Sequence, residues 1–257
     1  MAMINGFLGR RDLFKVLGIG GLGLMTNTAA PAFADTSTVN KRVAPETALD
    51  RLLAGNQDCS SAASQQRPCP ETALDRLLAG NLRFVSSKAN HPHQSLKRIK
   101  SLAQAQHPYA TILSCADSRV SGEIVFDEGL GDLFDIRIAG NIATPEVIGS
   151  IEYAVAHLHT PLLMVLGHER CGAVTAAVDG GELEGKIPTL VAAIAPAVER
   201  ARGQAGDLLE NAVVANIQYQ IERLLELSSV IKAAVAAGEL KIVGGRYDLD
   251  QGKVTLV

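Results

Sequence analysis

The sequence predicts an α/β fold with a mostly parallel central sheet flanked by helices, and three observations carry that reading. Short apolar runs rich in β-branched residues, at 109–114, 133–138, 162–166 and 240–243, alternate with stretches of helical periodicity at 145–157, 173–178, 189–201 and 210–237. The last of these stretches is long enough that a break is expected within it. Residues suited to chemistry then stand where such runs end: Cys115 closes Tyr109-Ala110-Thr111-Ile112-Leu113, and His168 follows Pro161-Leu162-Leu163-Met164-Val165-Leu166. Open parallel sheets place their sites beyond the carboxyl ends of their strands. Finally, 257 residues of 47% hydrophobic composition supply a sizeable core. Gln251-Gly252 marks a turn into a short final strand, 254–257, suited to the sheet edge.

The net charge of −3 gives no electrostatic case for a nucleic-acid partner. Nor does any stretch reach the roughly 18 consecutive apolar residues of a spanning helix, so no stable membrane anchor is expected after processing.

Residues 1–34 read as an address. Arg10-Arg11-Asp12-Leu13-Phe14-Lys15 precedes a short glycine-rich apolar core, Val16 to Met25, and Ala32-Phe33-Ala34 offers a small-residue cleavage site. This resembles a bacterial twin-arginine export signal, which implies the periplasm, or a thylakoid lumen if the source has one. Gly18-Ile19-Gly20-Gly21-Leu22-Gly23 matches a dinucleotide-binding glycine pattern, but no strand precedes it and no βαβ unit surrounds it.

Residues 35–70 read as a linker that holds a duplicated helical segment. Pro45 to Asn56 recurs letter for letter as Pro70 to Asn81, and two copies are too few for a solenoid. Each copy reads as a helix with Pro or Thr at its start, leucines at helical spacing, and Gly-Asn as its stop. The second copy continues into Leu82-Arg83-Phe84-Val85 and is taken as the native one, opening a main domain at 71–257. Cys59 and Cys69 flank the spacer between the copies; either a disulfide or two free thiols fits an exported chain.

Ser114-Cys115-Ala116-Asp117-Ser118-Arg119 and Gly167-His168-Glu169-Arg170-Cys171-Gly172 together supply two thiols, an imidazole and a carboxylate beside an arginine. His168 and Cys171, three apart, face the same way where a strand turns into a helix. Two thiolates and one imidazole fill three tetrahedral positions and leave the fourth for water, the pattern of a catalytic zinc. A closed structural site needs a fourth ligand, and Cys59 and Cys69 lie far upstream. Asp117 is placed to accept a hydrogen bond from zinc-bound hydroxide, with Arg119 keeping it ionised and fixed. His91, His93, His157 and His159 lack such companions.

The C-x-D-x-R of Cys115, Asp117 and Arg119 with the H-x-x-C of His168 and Cys171 resembles the β-class carbonic anhydrases, from about Glu71 to the C-terminus. The segments 137–141, 151–155 and 245–249 are similar to family segments as well. The resemblance implies a homodimer or dimer of dimers, one Zn2+ per chain held by Cys115, His168 and Cys171, and an Asp117–Arg119 dyad. The reaction it implies is hydration of carbon dioxide to bicarbonate and a proton by zinc-bound hydroxide. The alternatives are a carbonyl sulfide or carbon disulfide hydrolase on the same zinc, or a non-catalytic zinc protein. Gln106, Phe134 and Tyr153 resemble the substrate-lining residues of the open-site, plant-type subgroup, and Gly172 offers a backbone N–H nearby. Relatives that shut the site use a tryptophan three residues before the first cysteine; here that residue is Ile112, and the chain has no tryptophan.

Overall fold

Four of the apolar runs become parallel strands: β1 Ala110–Ser114, β2 Leu133–Arg137, β3 Leu162–His168 and β4 Lys241–Tyr247. The antiparallel β5, Val254–Leu256, completes a sheet of order β2-β1-β3-β4-β5. The computed structural model describes residues 68–257. The export-signal reading, the first repeat copy and Cys59 lie outside the described residues. Cys69 is disulfide-bonded, and its sulfur lies 3.2 Å from Thr72 Oγ1.

β1 and β3 are buried at every position, as central strands covered on both faces must be. Successive side chains point to opposite faces, so Ile112, Met164 and Leu166 pack under helix α1 (Pro70–Val85) with Ala73, Leu77 and Phe126. Leu113, Leu163 and Val165 face the other way, into a core shared with α4 (Pro145–Ala156), α6 (Ile187–Ala201), α7 (Leu208–Leu227) and α8 (Ser229–Ala236). Two short helices, α2 (Leu96–Leu102) and α3 (Gly122–Val125), escape a periodicity reading because each is only one or two turns long. The ladder is in register from Ala110 with Leu133 to Ser114 with Arg137, and from Leu162 with Lys241 to His168 with Tyr247.

Some element ends differ from expectation, and the break expected in the last helical stretch is found. β3 runs two residues beyond the predicted 166, so His168 is its last residue rather than one just past its end. The stretch 210–237 does break, at Ser228, whose hydroxyl accepts from Ile231 N and donates to Glu152 at 2.6 Å. Gly80-Asn81 does not stop α1, which continues to Val85. The glycine is needed for close approach instead: a Cβ there would lie 1.8 Å from the Phe126 carbonyl oxygen. Asn81 is buried; its amide donates to Val125 O and Gly252 O, and its oxygen accepts from Val254 N.

Candidate metal centre and active site

The sheet delivers three ligand groups to one point. Cys115 follows β1, His168 ends β3, and Cys171 is the N-cap of α5 (Gly172–Asp179). Their ligand atoms lie within 4.8 Å of one another, all from buried residues. The two sulfurs are 4.0 Å apart, close to the roughly 3.8 Å edge of a tetrahedron with Zn–S bonds of about 2.3 Å. His168 Nδ1 is 2.8 Å from the Glu169 carbonyl oxygen. A carbonyl only accepts, so Nδ1 carries the proton and Nε2 presents its lone pair. That Nε2 is buried and has no hydrogen-bond partner. An orphaned lone pair facing two thiols is costly on its own and fits a soft divalent cation such as zinc.

One of the two thiols, Cys115, is primed to lose its proton. A hydrogen bond from Cys171 lowers the Cys115 pKa against the opposing effect of burial, helped by His168 and the Gly140 N–H. Gly140 N lies 3.4 Å from Cys115 Sγ, and its φ of 76° is a conformation that favours glycine. Cys171 is pushed up by the proton it shares with Cys115 and by burial, while the N–H groups of Ala173 and Val174 at the start of α5 oppose the rise.

Beside this centre Asp117 and Arg119 form a bidentate pair. Arg119 Nε donates to Oδ1 at 2.9 Å and Nη2 to Oδ2 at 2.7 Å, and the Arg119 backbone N–H adds a third bond at 3.0 Å. The Arg119 contact holds the Asp117 carboxyl well below the usual carboxylate range. Asp117 Oδ2 stands 3.8 Å from His168 Nε2. Arg137, whose role the sequence reading missed, braces this loop by donating to Cys115 O at 3.2 Å and Asp117 O at 2.6 Å. Its signal was an arginine ending the strand beside the one that leads to Cys115.

Gln106, Phe134 and Tyr153 gather elsewhere. Gln106 and Tyr153 line a cleft of about 530 Å³ with Leu102, His107 and His157, and the Phe134 and Tyr153 rings are 6.4 Å apart. Phe134 is level with Thr111, four residues before Cys115, which places it roughly 13 Å back along the strand direction. Gly172 does border the metal centre, and open space surrounds the position a Cβ would take. Glu169, Asp248 and Asp250 make a second acidic cluster, but its carboxylates are engaged by Arg246, Arg170 and the N–H groups of Leu249, Asp250 and Gln251.

Asp135, on β2 beside Ile112 of β1, has an environment that disfavours its charge. Burial first, then Glu123, raise its pKa to about 6 against Arg137 and the Gly122 N–H, and its Oδ1 has no partner. A carboxyl titrating near 4 when unfolded and near 6 when folded makes the fold lose stability as pH rises through that window. Above it the loss is constant, about 3 kcal/mol. Asp135→Asn is therefore expected to stabilise the protein by that order at pH 8 and not at pH 4. Urea unfolding at both values measures it; a variant no more stable at pH 8 contradicts the reading.

A mostly parallel α/β sheet carrying a Cys-His-Cys cluster and an Asp–Arg pair at its strand ends defines an α/β enzyme with a candidate metal site. The comparisons narrow the class. Residues 110–254 match the family model described as carbonic anhydrase. The chain is 42% identical over 178 residues to carbonic anhydrase 2 of Mycobacterium tuberculosis, spanning 68% of this chain and 86% of that one. It is 41% identical over 178 residues to a carbonic anhydrase of Mycolicibacterium smegmatis, with the same coverage. One of two tetrameric β-carbonic anhydrases from Sordaria macrospora superposes with a TM-score of 0.58 at 25% identity, over 70% of this chain and 94% of that one. The chain belongs to the β-class carbonic anhydrases.

Proposed function

We propose that this chain catalyses the reversible hydration of carbon dioxide to bicarbonate and a proton. The observation that carries the reading is the convergence of Cys115, His168 and Cys171 beside an ion-paired Asp117. The alternatives of a carbonyl sulfide or carbon disulfide hydrolase and of a non-catalytic zinc protein are not favoured by the relatives, which are carbonic anhydrases. Those three residues would hold zinc, which would supply the Lewis acidity that makes water a nucleophile near neutral pH.

The chain's own residues do the rest. Asp117, kept ionised by Arg119, acts as a hydrogen-bond acceptor that orients the attacking oxygen and does not take up a proton at neutral pH. Arg137 holds the Asp117 backbone in place. Gly172, the first residue of α5, offers its backbone N–H to a bicarbonate oxygen. Gln106, Phe134 and Tyr153 act from a second copy in a homodimer: within one chain they lie back along the sheet, and Tyr153 is 47% exposed. The tetrameric Sordaria proteins agree with such an assembly, including a dimer of dimers. Stopped-flow hydration of carbon dioxide by zinc-replete protein tests the reading, and absence of activity in protein carrying one zinc per chain would sink it.

The bidentate Asp117–Arg119 pair supports the open-site subgroup, and Ile112 lacks the indole donor of the closed form. Activity is expected to persist at pH 7 without cooperative inhibition by bicarbonate. An Asp117 oxygen at about 2.0–2.2 Å from zinc in a pH 7 crystal would overturn this. We also propose the domain division read from the sequence, with 1–34 an export signal, 35–70 a linker and 71–257 the enzyme. No helix among the described residues is long and apolar enough to cross a membrane. Arg10→Lys/Arg11→Lys is expected to leave the enzyme in the cytoplasm; unchanged export would contradict the signal.

A further inference from the structure

The turn that joins two ligands, Glu169-Arg170, is fastened to the C-terminal hairpin by its side chains. Glu169 Oε1 accepts from Arg246 Nη2 at 2.5 Å, and Oε2 accepts from Leu249 N at 3.0 Å. Arg246 in turn reaches Glu210 on α7 at 2.5 Å. Glu169 N donates to Tyr247 O at 3.0 Å. Arg170, at a φ of 48° that a side-chain-bearing residue rarely takes, grips Asp250 through both terminal nitrogens at 2.9 and 3.0 Å. Three elements therefore fix a two-residue turn whose one evident output is the Glu169 carbonyl, the acceptor for His168 Nδ1 at 2.8 Å.

We propose that Glu169 is a positioning residue for the metal centre: its carboxylate, locked by Arg246 and the Leu249 N–H, fixes its own carbonyl as the acceptor that holds the His168 ring with Nε2 toward the two thiols. The inference rests on the reading of Cys115, His168 and Cys171 as zinc ligands. The general physics is that a ligand imidazole needs its other nitrogen hydrogen-bonded, both to set the tautomer and to stop the ring turning. A backbone carbonyl does this only as well as its peptide plane is held. The peptide after Glu169 is shared with strained Arg170, so without side-chain anchors it has a reason to turn. Glu169 is 13% and Arg246 23% exposed at the side chain, shielded enough for the pair to act as a fixed point rather than a solvated surface contact.

The experiment uses the full zinc-loaded chain and follows zinc loss to a chelator in excess, with ¹⁵N spectra of the His168 ring in the zinc-free protein as a second readout. Glu169→Ala is expected to speed zinc loss by about 10- to 100-fold, the usual cost of losing a partner behind a metal ligand. Its His168 spectrum should show mixed tautomers where the wild type shows Nδ1–H alone. Glu169→Gln, which keeps the shape and one acceptor, should recover most of the zinc retention, as a purely electrostatic role would not allow. Arg202→Ala, which breaks an exposed ion pair to Glu199 on α6, serves as the control and should match wild type. Wild-type zinc loss and a single His168 tautomer in folded Glu169→Ala would overturn the proposal. If the alanine variant does not fold, Arg246→Ala, which removes the anchor of the Glu169 carboxylate, takes its place: faster zinc loss with mixed tautomers supports the proposal, and wild-type behaviour in both readouts overturns it. Failure of the wild type to hold zinc would instead overturn the reading of the ligands.

Discussion

Replacing His168 or Cys171 with alanine is expected to remove the bound zinc and to lower carbon dioxide hydration more than about a thousandfold, over 4 kcal/mol in the barrier. Affinity follows ligand number and type, and either change leaves two protein donors where a catalytic zinc needs three. The fold should survive. Cys171 is buried at the start of α5 and makes no side-chain cap bond, and removing one sulfur leaves a cavity of only about one heavy atom. His168→Ala deletes a side chain whose Nε2 has no partner and whose Nδ1 serves one backbone carbonyl, so a single acceptor at Glu169 is left unpaired. Metal content by mass spectrometry and stopped-flow rates measure both effects. One zinc per chain retained in either variant, with activity near wild type, would show that the Cys-His-Cys cluster is not the metal centre.

How much of this was legible in the sequence follows from the range of each interaction. Strand cores such as 109–114 and 162–166 carry their own signal because central strands are buried on both faces. The Cys-His-Cys cluster was legible because metal chemistry needs particular residue types at strand ends, and Cys115, His168 and Cys171 come together there. What was not legible is contact between distant segments. Arg137 braces the Asp117 loop across a strand pair, and Arg246 holds Glu169 from 77 residues away. Nothing local to Arg246 says so, and Arg137 offers only its place at the end of β2. Gly80-Asn81 shows the same limit in the opposite direction: the pair has the local look of a helix stop, and a tertiary contact 44 residues away decides otherwise. Gln106, Phe134 and Tyr153 were legible as residue types, while their distance along the sheet from Cys115 depends on a register that only the fold reveals.

That glycine gives the second large effect. Gly80→Ala is expected to destabilise the protein by more than about 3 kcal/mol, although alanine improves helix propensity by about 1 kcal/mol. The added Cβ would sit 1.8 Å from Phe126 O and 2.8 Å from Phe126 C. Both are backbone atoms of a fully buried residue at the end of α3, so neither can swing aside as a side chain could. α1 would have to lift away from α3. Lifting it breaks the Asn81 bonds to Val125 and Gly252 and loosens Arg83 from Asp127, a pair at 2.5 Å whose carboxylate is fully buried. The letter-for-letter copy upstream offers an internal comparison, because Gly55 stands where Gly80 does in the repeat. If the second copy is the one that docks, Gly55→Ala should shift stability by less than about 0.5 kcal/mol. Urea unfolding of the two variants decides the matter: a silent Gly80→Ala beside a damaging Gly55→Ala would mean that the first copy, not the second, lies against Phe126.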